Sequence, residues 1–239
     1  MRFRAKFQSL VEHGIDLFYC PRVPAPLRDI SAPDFIRRIL VQGLYSRYLV
    51  VGDDFQFARR REGTIEHLNA VAAALDYDVE QVPSVIVNGL RVSSTAIRDA
   101  LGSGDMKTAS KLLGRPYRMS GKIVKGDRVG RTLGYPTANV ELRRRQSAVM
   151  GIFAVRVHGI DGGPHDAVAS VGSRPTFNGT KPILEVHIFD FDEDIYGKYI
   201  HVDFIAWLRD QVKFDMVEDL VAQMDVDADN ARSALAADA

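Results

Sequence analysis

The hydrophobic pattern of this chain changes period once, at Gly114-Arg115-Pro116, and no single continuous architecture accommodates both patterns. Upstream, strand-like and helix-like runs alternate. Residues 3 to 13 predict a helix and IDLFYCPRV a strand ending in the proline-rich turn PRVPAP. In SAPDFIRRILVQGL, Ser31 is a candidate N-cap, and Phe35, Ile36, Ile39 and Leu40 share one face of a helix. YLVVGDDF reads as an apolar strand, Thr64 to Leu75 as a helix, YDVEQVPSVIVNGLRV as one or two strands, and STAIRDALGSG and Lys107 to Leu113 as short helices. Such alternation predicts an α/β domain with a mainly parallel sheet over residues 1–114.

Downstream, β-branched and aromatic runs are separated by Gly, Asp and Asn: SGKIVKG, IFAVRVHGI, DAVASVGS, PILEVHIFDF and YIHVDFIAWLRD. Residues 115–239 therefore predict an all-β barrel or sandwich. The tail from Met216 to Ala236, with Val217, Leu220, Val221 and Met224 at helical spacing, predicts a closing helix packed on it. Two modest domains fit a chain of 239 residues of which 46% are apolar.

A single cysteine, Cys20, excludes an internal disulfide and fits a reducing compartment; its apolar setting in DLFYC predicts a packed thiol rather than a nucleophile. MRFRAKFQSL lacks a signal-type apolar stretch, and no run reaches the ~18 residues of a membrane span, so the expected location is cytoplasmic, without a membrane partner. Zero formal charge argues against a nucleic-acid partner. The charge is uneven, however: residues 190 to 239 hold 13 acids against 4 bases, which leaves 18 acids and 27 bases on the rest.

The stretch GKIVKGDRVGRTLGYPTANV, 121 to 140, lies within that positive part. Glycines at 121, 126, 130 and 134 let backbone amides approach a polyanion, while Lys125, Arg128 and Arg131 supply charge. Thr137 and Asn139, after Pro136, share a face in an extended segment, so that a hydroxyl and an amide carbonyl are available to one magnesium ion or one phosphate. A hairpin with solvated charges also accounts for the glycines and arginines. In ILEVHIFDF, Glu185, His187 and Phe189 share the face opposite Leu184, Val186 and Ile188, so Glu185 is either idle on a solvated outer face or part of a site.

The phosphate-type loop, Gly151-Ile152-Phe153, SVGSRPTFNG, LEVHIFDFDEDIYGK and LRDQVKF, with VGDDFQFARRREG and RVSSTAIRDAL upstream, resemble together the bacterial bifunctional riboflavin kinase and FMN adenylyltransferase (FAD synthetase) family over nearly the whole chain. The resemblance implies a partial Rossmann-like nucleotidyltransferase domain, then a riboflavin-kinase Greek-key barrel with a C-terminal helix. It implies ATP and Mg²⁺, with riboflavin as substrate and FMN as product. Thr137 and Asn139 take the metal and phosphate role, Gly126, Gly130 and Arg131 fold over the nucleotide, and Glu185 is the base. His187 is read as structural. Arg209 matches an arginine on a flap over flavin and nucleotide, or forms a surface ion pair; Arg174 to Thr176 form a loop at the mouth of the site, where Phe177 either stacks a ring or packs.

Upstream, Gly52, Asp53 and Asp54 end a strand where α/β sheets bind ligands, and Ser93, Ser94, Thr95 and Arg98 stand at a helix N-terminus suited to phosphate. Arg59, Arg60 and Arg61 are either ligand-facing or an exposed charge run, and Ala58 stands where the family usually has glycine. Members open with an H-x-G-H-type pair, whereas the six histidines here, 13, 67, 158, 165, 187 and 201, are never three apart. The upstream residues are therefore expected to be remnants of an adenylyltransferase site, with the first half of that fold absent, a weaker N-terminal half, and self-association through an exposed sheet edge. Two alternatives stay open: adenylyl transfer that persists, or a flavin- or nucleotide-binding module without turnover.

Overall fold

The computed structural model describes residues 3–21, 28–126, 129–142, 144, 146–176 and 179–238. Most of the PRVPAP turn, Arg128 and Phe177 lie outside the described residues. By its contacts the chain divides into Lys6–Ile86 and a second unit formed by Met1–Ala5 with Val87–Ala239.

The first unit follows α1 (Phe3–Glu12) with α2 (Ala32–Asp34), capped by the Ser31 side chain on the Asp34 amide as the sequence predicts. The helix then widens to a π-helix over Phe35–Val41, in which Gln42 donates to Arg37 O at 2.9 Å. β1 (Tyr48–Gly52) and β2 (Asp78–Val82) form a two-stranded parallel sheet, connected through α3 (Ile65–Leu75). Ala32, Ile36, Phe57, Leu68 and Tyr77 make its buried core.

Two expectations fail here. No strand forms over residues 15–21, because no partner pairs with that stretch among the described residues, and an unladdered strand leaves its amides unsatisfied. Cys20 is exposed rather than packed, next to Tyr19, which is also exposed. Between Phe57 and Gly63, joined by two backbone hydrogen bonds, Ala58 adopts φ 64°, ψ −173°. That region is open essentially to glycine alone, which gives a physical reason for the family's glycine at the position that alanine occupies here.

β3 (Ile86–Val87) and β4 (Leu90–Arg91) form a two-stranded sheet, and α4 (Ser94–Gly102) and α5 (Met106–Leu113) follow in the second unit. Ser93 and Asp105 cap these helices through their side chains. Leu101, Met106 and Ala109 join the buried core of the barrel that follows.

That barrel has six antiparallel strands: β5 (Tyr117–Val124), β6 (Ala138–Glu141), β7 (Gly151–His158), β8 (His165–Thr176), β9 (Gly179–Ile188) and β10 (Tyr199–Arg209). Their order around the wall is β10-β5-β6-β9-β8-β7, closed by β10 on β7. Three consecutive strands, β7, β8 and β9, are flanked by β10 on one side and β6 on the other, which is Greek-key connectivity. The sequence reading missed β6 as a separate strand, since four residues carry too short a pattern. Arg174 to Thr176 are not a loop: β8 continues through them, paired in register with β9 as far as Thr176↔Gly179.

Alternation sorts the wall. Met119, Ile123, Val140, Phe153, Leu184 and Phe204 point inward, with Phe153 and Phe204 edge to face at 5.0 Å. On the outside, α7 (Val217–Ala236) lays Ala231 and Leu235 against Ala154 and Phe189. The small residues at 154 and 231 let helix and wall approach closely. Arg156 closes the helix end by donating to Leu235 O at 2.9 Å, where the last carbonyls have no partner within the helix.

Hydrogen exchange is expected to show residues 6–86 opening before the barrel, given the small core of that unit; equal protection of the two units contradicts this. Ala58→Gly should relieve strain of order 1–3 kcal/mol, less the ~0.5–1 kcal/mol that glycine costs in unfolded-chain entropy, and so raise protection at Leu68 by about 1 kcal/mol.

Candidate active site

The barrel register assembles the candidate site. Asn139 on β6 lies directly opposite Glu185 on β9, and Glu185 directly opposite Ser170 on β8. Residues facing each other on adjacent strands point to the same side with Cβ atoms about 5 Å apart. Ser170 in turn faces Ile152 on β7, and Ile152 faces Arg209 on β10, so one row of side chains crosses five strands on the outer wall. Glu185 is thus on the outer face, as its alternation requires, but it is half-buried rather than idle in solvent.

What covers that face is α7 and the segment before it. A cavity of ≈ 600 Å³ is lined by Thr137, Asn139 and Glu185 on the wall, by Arg209 at the end of β10, and by Leu220 and Met224 of α7. A second cavity of ≈ 430 Å³ opens beside it, lined by Lys125 and Arg131 at one side and by Asp192, Glu193 and Asp194 at the other. Thr137 lines both cavities. The first is walled by apolar side chains with a few polar groups; the second has a basic flank.

The glycines of the loop turn out to make room for the site itself. A Cβ on Gly126 would lie 2.4 Å from Asn139 Nδ2, and one on Gly130 would lie 2.3 Å from Tyr135 O. The segment Val129–Thr132 forms one helical turn, α6, which carries Arg131 to the rim of the smaller cavity.

Hydrogen bonds pin the surrounding side chains. His187 donates from Nδ1 to Pro136 O at 2.9 Å and stands edge-on to Tyr135, in keeping with a structural reading. Tyr135 donates its hydroxyl to Asp225 of α7. Burial, reinforced by the Asp225 carboxylate, pushes the Tyr135 phenol up to about 12, so it remains a neutral donor throughout the physiological range. Arg209 is held by Asp227, donating from Nε at 2.7 Å and from Nη2 at 2.6 Å, and Gln223 adds a bond to the same carboxylate at 3.0 Å. Arg209 is thus ion-paired to a buried carboxylate rather than at the surface, and it also lines the cavity.

Sequence reasoning missed Asp225, Asp227 and Ser170. Asp227 had a signal: it continues the Leu220 and Met224 stripe at helical spacing, and an acid within an apolar stripe calls for a buried partner.

Comparison with known proteins gives the family of the chain. The riboflavin kinase family model matches residues 113–235, and the FAD synthetase family model matches residues 1–96. The bifunctional riboflavin kinase/FMN adenylyltransferase of Haemophilus influenzae is 37% identical over 98% of this chain and 76% of its own length. The chain belongs to the bifunctional riboflavin kinase/FMN adenylyltransferase family. The Escherichia coli K12 relative of the same description is 39% identical over 97% of this chain and 74% of its own. A crystal structure described as a macrolide-efflux protein from Streptococcus pneumoniae superposes with a TM-score of 0.82 at 34% identity, covering 97% of this chain and 75% of that one. No helix among the described residues is long and apolar enough to cross a membrane.

As a family member the chain is an enzyme with a riboflavin kinase domain, and the residues with adenylyltransferase resemblance fall in both units. Gly52 ends β1 in the first unit and Asp53 and Asp54 follow it, with Asp53 accepting from Ser84 Oγ at 2.5 Å. Ser93, Ser94, Thr95 and Arg98 belong to the second, where the Ser93 hydroxyl caps its helix, accepting from Ala96 N at 3.1 Å. Arg59 pairs with Glu62, and Arg60 is exposed.

Gly126→Ala should push the Asn139 amide out of its place and cut FMN formation by ~10²-fold with little loss of thermal stability. Turnover within twofold of the parent would show that the close contact at Gly126 has no bearing on the site.

Proposed function

We propose that the chain is a riboflavin kinase that transfers the γ-phosphoryl group of ATP to the ribityl 5′-hydroxyl of riboflavin, giving FMN and ADP, and that these 239 residues do not by themselves form FAD. The observation that supports it best is the in-register pairing of Glu185 with Asn139 on the wall of the larger cavity, which adjoins the smaller one at Thr137. The larger, mostly apolar cavity suits a flat tricyclic ring, and the Lys125 and Arg131 flank of the smaller one, opposite its Asp192, Glu193 and Asp194 flank, suits a polyphosphate. The domains follow the sequence boundary, with kinase function in 115–239 and the adenylyltransferase remnant in 1–114.

Magnesium fits this donor set in one way. Among the described residues no cluster of three or more acidic, histidine or cysteine side chains stands ready for a metal. Thr137 and Asn139 offer two neutral oxygens, which suits an ion that keeps several waters and is held largely by the nucleotide's own phosphates. When bound, Mg²⁺ offsets the charge that builds on the phosphate oxygens during transfer.

The chain's own residues supply position and a proton acceptor. Riboflavin lies along the outer wall with its ribityl end at Glu185. The Glu185 carboxylate accepts the 5′-hydroxyl proton as that oxygen bonds to the γ-phosphorus; the bond from the γ-phosphorus to the β,γ-bridging oxygen breaks, and its electron pair leaves with ADP. Arg131 and the amides around Gly126 and Gly130 hold the phosphates. The lid formed by residues 210–216 and α7 keeps water from competing with the sugar hydroxyl.

Absence of adenylyl transfer is argued from the six histidines, none of which forms the expected pair. A bifunctional reading draws on the curated relatives, which are described as bifunctional. Incubation with riboflavin, ATP and Mg²⁺, followed by chromatography, separates the readings: FMN without FAD is expected, FAD supports the bifunctional reading, and tight flavin binding with no ADP overturns catalysis altogether. Glu185→Gln should retain riboflavin binding and lose about 10²- to 10⁴-fold in turnover; parent-like turnover removes the carboxylate from the mechanism.

A further inference from the structure

Asp203 and Asp227 are the buried carboxylates among the described residues, and Asp227, 4% exposed, belongs to the helix that roofs the larger cavity. Burying a carboxylate is unfavourable unless its oxygens are paired. Asp227 meets that condition with the two-point hold on Arg209 and the Gln223 bond. An apolar residue at 227 would fill the same stripe beside Leu220 and Met224 without any such requirement, so the acid serves something other than helix packing.

A guanidinium has five N–H donors in a plane. Of those on Arg209, Nε–H and one Nη2–H go to Asp227, and one Nη1–H goes to Asp210 O at 2.8 Å. Two N–H donors, one on each terminal nitrogen, have no partner in that set, and Arg209 lines the cavity that holds Glu185. Along the wall, Arg209 stands three strand positions from Glu185, through Ser170 and Ile152. At ~4.8 Å per strand this is about 14 Å around the curve. A riboflavin whose ribityl hydroxyl reaches Glu185 spans a comparable length to its ring.

We propose that Asp227 is a positioning residue: by gripping Arg209 at two points it aims the two remaining N–H donors at the carbonyl-bearing edge of the flavin ring, at the end of the cavity away from Glu185. The inference rests on the riboflavin kinase reading given above. Lysine cannot reproduce this fork, and asparagine at 227 keeps the shape but offers only one accepting oxygen to it.

The test is riboflavin binding in the presence of Mg²⁺ and ADP, followed by quenching of flavin fluorescence in the full chain, for the parent, Asp227→Asn, Arg209→Lys and the double variant. Each single variant should weaken riboflavin ~10-fold and raise its KM with little change in the KM for ATP, and Asp227→Asn should add nothing once Arg209 is lysine. Loss of equal size in both backgrounds, or unchanged binding in Asp227→Asn, overturns the inference. If Asp227→Asn does not fold, Arg209→Lys alone decides: riboflavin affinity equal to the parent's overturns it. A parent that binds riboflavin without making FMN defeats the kinase reading and leaves this inference standing; a parent that binds no riboflavin overturns both.

Discussion

The pairing of β6 with β9 is the constraint on which the account depends. It sets Asn139 across from Glu185, and it can do so only because Val140, Leu184 and Val186 are turned into the barrel and buried. Side chains alternate with a period of two, so a slip of one residue on either strand would put that strand's polar residues into the core and its aliphatic residues outside. The cost of burying a carboxylate or an amide among Phe153 and Phe204 excludes that slip. The register that places the chemistry is therefore enforced by the core on the other side of the same strands, and no separate device is needed to align the two polar groups.

A barrel wall alone is a convex surface, and the C-terminal helix is what turns it into a cavity. Its second half seats on Ala154 and Phe189, and its end is closed by Arg156. Its first half stands over the site, with Asp225 tied to Tyr135 and Asp227 tied to Arg209. Those two ties reach two separate parts of the cavity lining, one in the glycine-spaced loop and one at the end of β10. The acid excess of residues 190 to 239 thus has a local use: Asp225 anchors Tyr135 from the more basic remainder of the chain, and Asp227 anchors Arg209 of the same segment.

The sequence made the two-part architecture legible through its change of period, whereas alternation left Glu185 either idle or in a site, and only the family resemblance grouped it with Thr137 and Asn139. Other features were hidden for identifiable reasons. The row from Asn139 to Arg209 is a property of register between strands, which alternation within one strand does not encode. Strand β6 is too short to announce itself. IDLFYC has strand composition but no ladder, and composition alone supplies no partner; Cys20 ends up exposed for the same reason. SRPTFNG has the proline, glycine and asparagine of a loop, yet Arg174 to Thr176 extend β8, since pairing with β9 satisfies their backbone and outweighs local preference. Ala58 carried a sign visible in advance, a departure from the family's glycine, and its meaning needed the backbone angles.

The central claim is one of proximity: a carboxylate on the outer wall of the barrel meets the sugar hydroxyl of a flavin in the larger cavity, near the Thr137 that borders both cavities. A crystal structure of the protein with riboflavin, Mg²⁺ and ADP tests it most directly. The account requires the ribityl 5′-oxygen within hydrogen-bonding reach of the Glu185 carboxylate, at about 2.6–3.2 Å, and the ADP phosphates at Thr137 and Asn139. A flavin seated elsewhere, with its ribityl end turned away from Glu185, would contradict it.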